Sequence, residues 1–116
     1  MAKRQSVNFP GFDHQNPIPN ASRIGNVMMT SVISGVDPGT RNLPPELAKQ
    51  VTNLFTHVRT AIETAGGTPD DIIKMTFWMT NRSHRPALNV ERERMFPDPS
   101  NRPARHMMKG NLDGYV

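Results

Sequence analysis

The chain has 116 residues, a net charge of +4 and no cysteine, and 35% of its residues are apolar. That length suits one domain with a single core, and the lack of thiols excludes disulfides, thiolate nucleophiles and cysteine-based zinc sites. No window approaches the ~18 consecutive apolar residues of a membrane-spanning helix, and the basic start Met1–Ser6 lacks the apolar run of a secretory signal, so a single soluble, cytoplasmic domain over residues 1–116 is expected.

The sequence pI near 10.1 raises the question of nucleic acid. The densest basic group, Arg82, Arg85, Arg92 and Arg94, interleaves with Glu91 and Glu93 and reads as a solvated helix face. One Trp, one Tyr and no basic-aromatic motif leave little with which to stack bases. Nucleic acid and membrane are therefore not expected partners, whereas a positive field favours small anions.

In chain order, Ser6–Phe9 reads as a short strand, followed to about residue 25 by an irregular loop broken by Pro10, Gly11, Pro17 and Pro19. Gly25-Asn26 signals a turn, Val27–Ile33 a strand, and Asp37-Pro38-Gly39-Thr40 another turn. From Pro45 the period changes: Leu47, Val51, Leu54, Phe55, Val58, Ala61, Ile62 and Ala65 form the apolar stripe of a helix that ends at Gly66-Gly67. Thr68-Pro69-Asp70-Asp71 reads as a capped turn. Ile73, Met75, Phe77 and Met79 then alternate with Lys74, Thr76, Trp78 and Thr80, the period of a strand with one face on the helix. Its other, semi-polar face carries the only Trp and calls for a cover, for which a partner subunit is a natural candidate. Ser83 is placed as the cap of a second helix with Pro86 in its first turn, and Ala104–Met108 reads as a last strand. This order points to an α+β fold with two helices on one face of a mixed sheet.

Few motifs carry chemistry. His14, His57, His84 and His106 contain no local ligand pair, and His57 reads as a helix-surface histidine. Ser31, Ser34 and Ser83 sit in no nucleophile elbow, Gly66-Gly67 is no phosphate loop, and the methionines, including Met28-Met29 and Met107-Met108, read as core filling. No metal or cofactor is implied. Arg105 differs: an arginine on a strand just after a proline-marked turn presents a fixed fork suited to a carboxylate. A surface or ion-paired arginine is the alternative reading.

Four stretches together resemble the RidA/YjgF family of reactive-intermediate (enamine/imine) deaminases, from about His14 onward. They are Gly25–Ser31, Ala65–Lys74, Asn89–Phe96 and Arg102-Pro103-Ala104-Arg105. The resemblance implies a chorismate-mutase-like α+β fold assembling as a homotrimer with clefts between subunits. It implies that Arg105 holds the carboxylate of a small enamine or imine, which is hydrolysed to a 2-keto acid and ammonia without a cofactor. Substrates of the 2-iminobutanoate and 2-iminopropanoate type, or an aminomuconate-like dicarboxylate, would fit. Asn89 matches the family's asparagine, and backbone groups of Ser31, Val32 and Ile33 would line the cleft. Ile18 stands where many members have a tyrosine, and Pro19 where they have a serine. His106 follows the anchor, either as a cleft residue or as an outward neighbour of Arg105. Family members usually continue into a strand whose glutamate positions the water, whereas this sequence stops at Gly114-Tyr115-Val116. Glu46, Glu63, Glu91 and Glu93 do not match that place. A metabolite-binding or regulatory trimer using the same cleft is the alternative function, and RNA binding or cleavage a more remote one.

Overall fold

The computed structural model describes residues 3–9 and 18–112. Its elements are β1 (Gln5–Val7), β2 (Ala21–Ile24), β3 (Val27–Thr30), α1 (Leu47–Thr64), β4 (Lys74–Met79), α2 (Arg85–Met95) and β5 (Ala104–Lys109). Short 3-10 turns at Pro69–Asp71 and Arg82–His84 precede β4 and α2. The α+β class and the two helices agree with the sequence reading. The expected mixed sheet occurs as two hydrogen-bonded parts, an antiparallel β1-β2-β3 and a parallel β4-β5.

Strand β2 lies inside what reads as an irregular loop, and β3 ends at Thr30 rather than Ile33. The two pair as a hairpin around Gly25-Asn26, with Ile24 opposite Val27. Gly25 has φ of +56°, a backbone state that suits glycine at this turn. Buried Asn20 joins the strand ends: its side-chain oxygen accepts from the Phe9 N–H at 3.0 Å, and its carbonyl accepts from the Ser31 N–H at 2.9 Å.

The apolar stripe of α1 meets β4 and α2 in a core of Val51, Phe55, Phe77, Met79, Leu88 and Phe96, where the Phe55 and Phe77 rings stack at 6.0 Å. Met75, Met95 and Met107 pack against it. Met29 departs from the core-filling expectation: it lies on the outward face of β3 and is 76% exposed. Ile73 likewise sits just before β4 and is 85% exposed, so the alternation that buries Phe77 and Met79 starts only inside the strand.

Capping of α2 also differs from expectation. The Asn81 side chain, not Ser83, caps the turn that leads into the helix, accepting the Ser83 N–H at 2.9 Å. At Thr68 the expected cap is present: the Thr68 N–H donates to the Asp71 carboxylate at 2.8 Å, and the Asp71 N–H returns a bond to the Thr68 carbonyl at 2.9 Å.

A second, polar row on α1 fixes the segment that follows β3. Gln50 Nε2 donates to the Pro44 carbonyl at 2.7 Å and Asn53 Nδ2 to the Gly35 carbonyl at 3.1 Å, while His57 Nε2 meets the Val36 carbonyl at 2.7 Å. A carbonyl can only accept, so His57 carries its proton on Nε2 for this bond. His57 is 2% exposed, which corrects its reading as a surface residue. The loop approaches the helix closely enough that a Cβ on Gly35 would lie 2.4 Å from the Gln50 carbonyl oxygen.

Candidate active site

Strand register fixes which side chains can cooperate. In the parallel pair, Met75 is opposite Arg105, Thr76 opposite His106 and Phe77 opposite Met107. Residues opposite one another share a face, so Arg105 lies on the helix side with Met75, Phe77 and Met107. His106 lies on the other face with Thr76.

On the helix side Arg105 meets α2. Its Nη1 donates to Asn89 Oδ1 at 2.6 Å, which aims the guanidinium while leaving its other N–H groups outside that bond. One turn further along α2, Arg92 Nη2 donates to the Pro103 carbonyl at 2.7 Å. Arg102 Nε donates to the Phe96 carbonyl at 2.9 Å. The two prolines of 99–103 and these two arginine-to-carbonyl bonds thus hold the turn that delivers Arg105 onto its strand.

Arg92 corrects the reading of the 82–94 basic run as a solvated face. It is half-buried, and its Nε is a buried donor with no hydrogen-bond partner. Burial, then the neighbouring charges of Arg105 and Arg102, pull its pKa below the ordinary arginine value. Arg94 does behave as a surface residue, pairing with Glu91 at 3.1 Å. The ion pairs among the described residues are this one and Lys49–Asp37, so none of Arg92, Arg102 and Arg105 is ion-paired with a described residue. Asp98 lies nearest in effect: the Ser100 N–H and hydroxyl, and more weakly Arg102, hold its carboxyl below its ordinary pKa.

The remaining predicted residues form a second group. Ser31 Oγ donates to the Pro19 carbonyl at 2.8 Å, which sets exposed Ile18 beside the end of β3. Val32 is exposed, whereas the Ile33 side chain packs with Val36 against Phe9 and Ala61 and so belongs to a core cluster. Only the backbone of Ile33 can line a cleft. Among the described residues no hydrogen bond or ion pair joins the Ser31 group to the Arg105 group. The Asn16-Pro17 part of the departed loop and His14 lie outside the described residues.

Sequence reasoning missed Arg92 and the Gln50, Asn53 and His57 row. For Arg92 the available signal was its three-residue spacing from Asn89, which places both on one helix face.

Two helices over mixed strand pairs, with an arginine presented on the strand after a proline turn and aimed by an asparagine, define a class of small α+β protein. The chain belongs to the family described as Endoribonuclease L-PSP, whose model matches residues 13–111. It is similar to the RutC family protein of Haemophilus influenzae, with 34% identity over 91 residues that cover 77% of this chain and 70% of that one. It is also similar to the RutC family protein PM1466 of Pasteurella multocida, with 30% identity over 71% of this chain and 64% of that one. The crystal structure of the YjgF gene product from E. coli superposes with a TM-score of 0.78 at 25% identity, over 93% of this chain and 86% of that one. The RidA/YjgF resemblance is therefore a family relationship, and no described helix is long and apolar enough to cross a membrane.

Proposed function

We propose that the chain is a hydrolytic deaminase of small enamines and imines bearing a carboxylate. The observation that carries this reading is Arg105, which is aimed by Asn89 and in no ion pair among the described residues. A guanidinium so held has an edge available for a planar carboxylate, the group that a 2-imino acid places next to its reacting carbon. Water adds to the imine carbon, forming a C–O bond. The C–N bond then breaks, ammonia leaves with the protons, and a 2-keto acid remains, with no change of oxidation state and no cofactor required. Imines hydrolyse in water unaided, so orientation by the anchor supplies acceleration without elaborate acid–base machinery.

The site as proposed forms between copies of the chain in a homotrimer. Among the described residues no hydrogen bond or ion pair joins the Ser31 group to the Arg105 group, and the outward strand faces carry exposed Ile24, Val27, Met29 and Trp78. Faces of this kind suit burial against a partner.

The test is ammonia release from freshly generated 2-iminopropanoate and from an aminomuconate, comparing the chain with Arg105→Ala. The expected result is acceleration over the buffer rate that Arg105→Ala loses by about 100-fold, as removal of a charged anchor does. Binding of keto acids without turnover would replace this reading with that of a metabolite-binding trimer. Glu91, held by Arg94 and by Thr52 Oγ1 at 3.1 Å, is not poised as a base, and that observation favours the binding alternative. Salt-sensitive RNA cleavage, the activity in the family's description, would displace both.

A further inference from the structure

We infer that Arg92 is a positioning residue for the carboxylate anchor: by holding the Pro103 carbonyl it sets where the Arg105 guanidinium stands. This inference rests on the reading of Arg105 as the anchor, and it gives Arg92 no contact with substrate.

Helix α2 grips the start of β5 at two points. Asn89 and Arg92 are three residues apart and lie on one side of the helix. Pro103 stands just before β5, two residues from Arg105. Asn89 accepts from the Arg105 side chain at 2.6 Å, and Arg92 donates to the Pro103 backbone at 2.7 Å. Between them the Ala104 N–H donates to the Ile73 carbonyl at 2.8 Å, which ties the same stretch to the residue before β4. Three consecutive residues thus carry one tie each, and α2 supplies two of the three.

The tie from Arg92 is the one that places the backbone ahead of the anchor. Pro103 is buried, so loss of the Arg92 donor leaves its carbonyl unsatisfied unless the backbone moves. Movement at Pro103 is passed to Arg105, two residues on, and a misplacement of about 1 Å in such a group is worth up to roughly 100-fold. Arg92 is also held at a cost. It is half-buried, and its Nε is a buried donor without a partner, a penalty that a solvated arginine does not carry. Arg94, two residues further along α2, shows the contrast, being exposed and paired with Glu91.

The experiment is calorimetric titration of the full chain and its variants with 2-oxobutyrate and with its neutral amide, 2-oxobutyramide. Ammonia release from 2-iminobutanoate is measured alongside. The parent is expected to bind the acid at least about 10-fold more tightly than the amide. Arg92→Met is expected to weaken the acid by about 10-fold and to leave the amide within about twofold. Arg92→Lys keeps a donor but not the planar fork, and its expected loss on the acid is about threefold. Arg94→Met removes an equal charge from the same helix and is expected to leave both ligands within about twofold. Equal weakening of acid and amide by Arg92→Met overturns the inference, because Arg92 then only supports the fold. So does a loss with Arg94→Met as large as that with Arg92→Met, because charge alone then accounts for it. If Arg92→Met does not fold, Arg92→Lys takes its place: a loss confined to the acid supports the inference, and an equal loss on both ligands, or none, overturns it. A parent without preference for the acid removes the anchor and this inference with it. Selective loss of acid binding in Arg92→Met without ammonia release from the parent overturns the deaminase reading and leaves the positioning role standing. Ammonia release that depends on Arg105, with acid binding unchanged in Arg92→Met, does the reverse.

Discussion

Gly35→Ala is a sensitive probe of how the loop after β3 is held, because the added methyl meets backbone rather than a movable side chain. The new Cβ would lie 2.4 Å from the Gln50 carbonyl oxygen and 2.8 Å from Gln50 C and Cα. Ordinary contact requires about 3.4 Å or more, so the loop must retreat by roughly 1 Å. Overpacking of this kind costs about 1–3 kcal/mol. The same displacement stretches the bonds from Asn53 to the Gly35 carbonyl and from His57 to the Val36 carbonyl, now 3.1 and 2.7 Å. Leaving either buried group unsatisfied adds about 1–3 kcal/mol. A total near 3 kcal/mol or above follows, a large share of the ~5–15 kcal/mol by which domains are stable. The assay is thermal and urea unfolding at fixed protein concentration, where a loss of that size lowers Tm by about 10 °C or more for a domain of this length. A loss below about 1 kcal/mol would refute the reasoning and show that the loop is free to move off α1.

Asn89→Ala removes the acceptor at 2.6 Å that aims Arg105, and the expected outcome is a fall in kcat/KM of about 10-fold with the Tm within a few degrees of the parent. An unchanged kcat/KM would remove Asn89 from its positioning role. Trp78→Glu places a charge on the outward face of β4, where Trp78 is 53% exposed in the single chain. On the proposed trimeric reading the measured mass in light scattering is expected to drop from trimer to monomer, and an unchanged mass would exclude that face from the interface. Asp98→Asn tests the pH dependence: the folded-state pKa of Asp98 is depressed, so its contribution is present above about pH 4 and lost as pH falls through the folded value. The Tm difference between parent and variant should therefore vanish in acid, and a difference that persists at pH 2 would contradict the assignment.

Much of the fold was legible because its signals are local. The apolar spacing from Leu47 to Ala65 gives α1, and the alternation from Met75 to Met79 gives β4. Strand β2 was hidden for the opposite reason. Ala21-Ser22-Arg23-Ile24 carries no apolar alternation, and its conformation comes from pairing with β1 and β3 on either side. His57 misled because histidine on a helix beside Thr56 looks solvated, and its burial is created by a loop more than 20 residues away, whose carbonyl needs a donor. In the site, Arg105 was visible through the proline turn before it. Arg92 was not, because in the run Glu91-Arg92-Glu93-Arg94 the two arginines look equivalent. Helix geometry separates them: Arg92 stands one turn from Asn89 and turns toward Pro103, while Arg94 pairs with Glu91.

The two halves of the site bear on how the molecule works as a unit. The Ser31–Ile18 group sits at the end of β3, whose outward neighbours Val27 and Met29 are apolar and exposed. The Arg105 group sits on the helix side of β5, held by α2. Among the described residues β4 and β5 pair as a two-stranded sheet, and sheet edges and apolar faces are ordinarily covered. Lys74 places one charge on the outward face of β4, yet Val27 and Met29 on β3 and Trp78 on β4 stay exposed in the single chain. Association, as proposed, buries those faces and sets the Ser31 group of one copy against another. On the proposed reading the anchor is complete in each chain, and the wall opposite it is supplied by a neighbour.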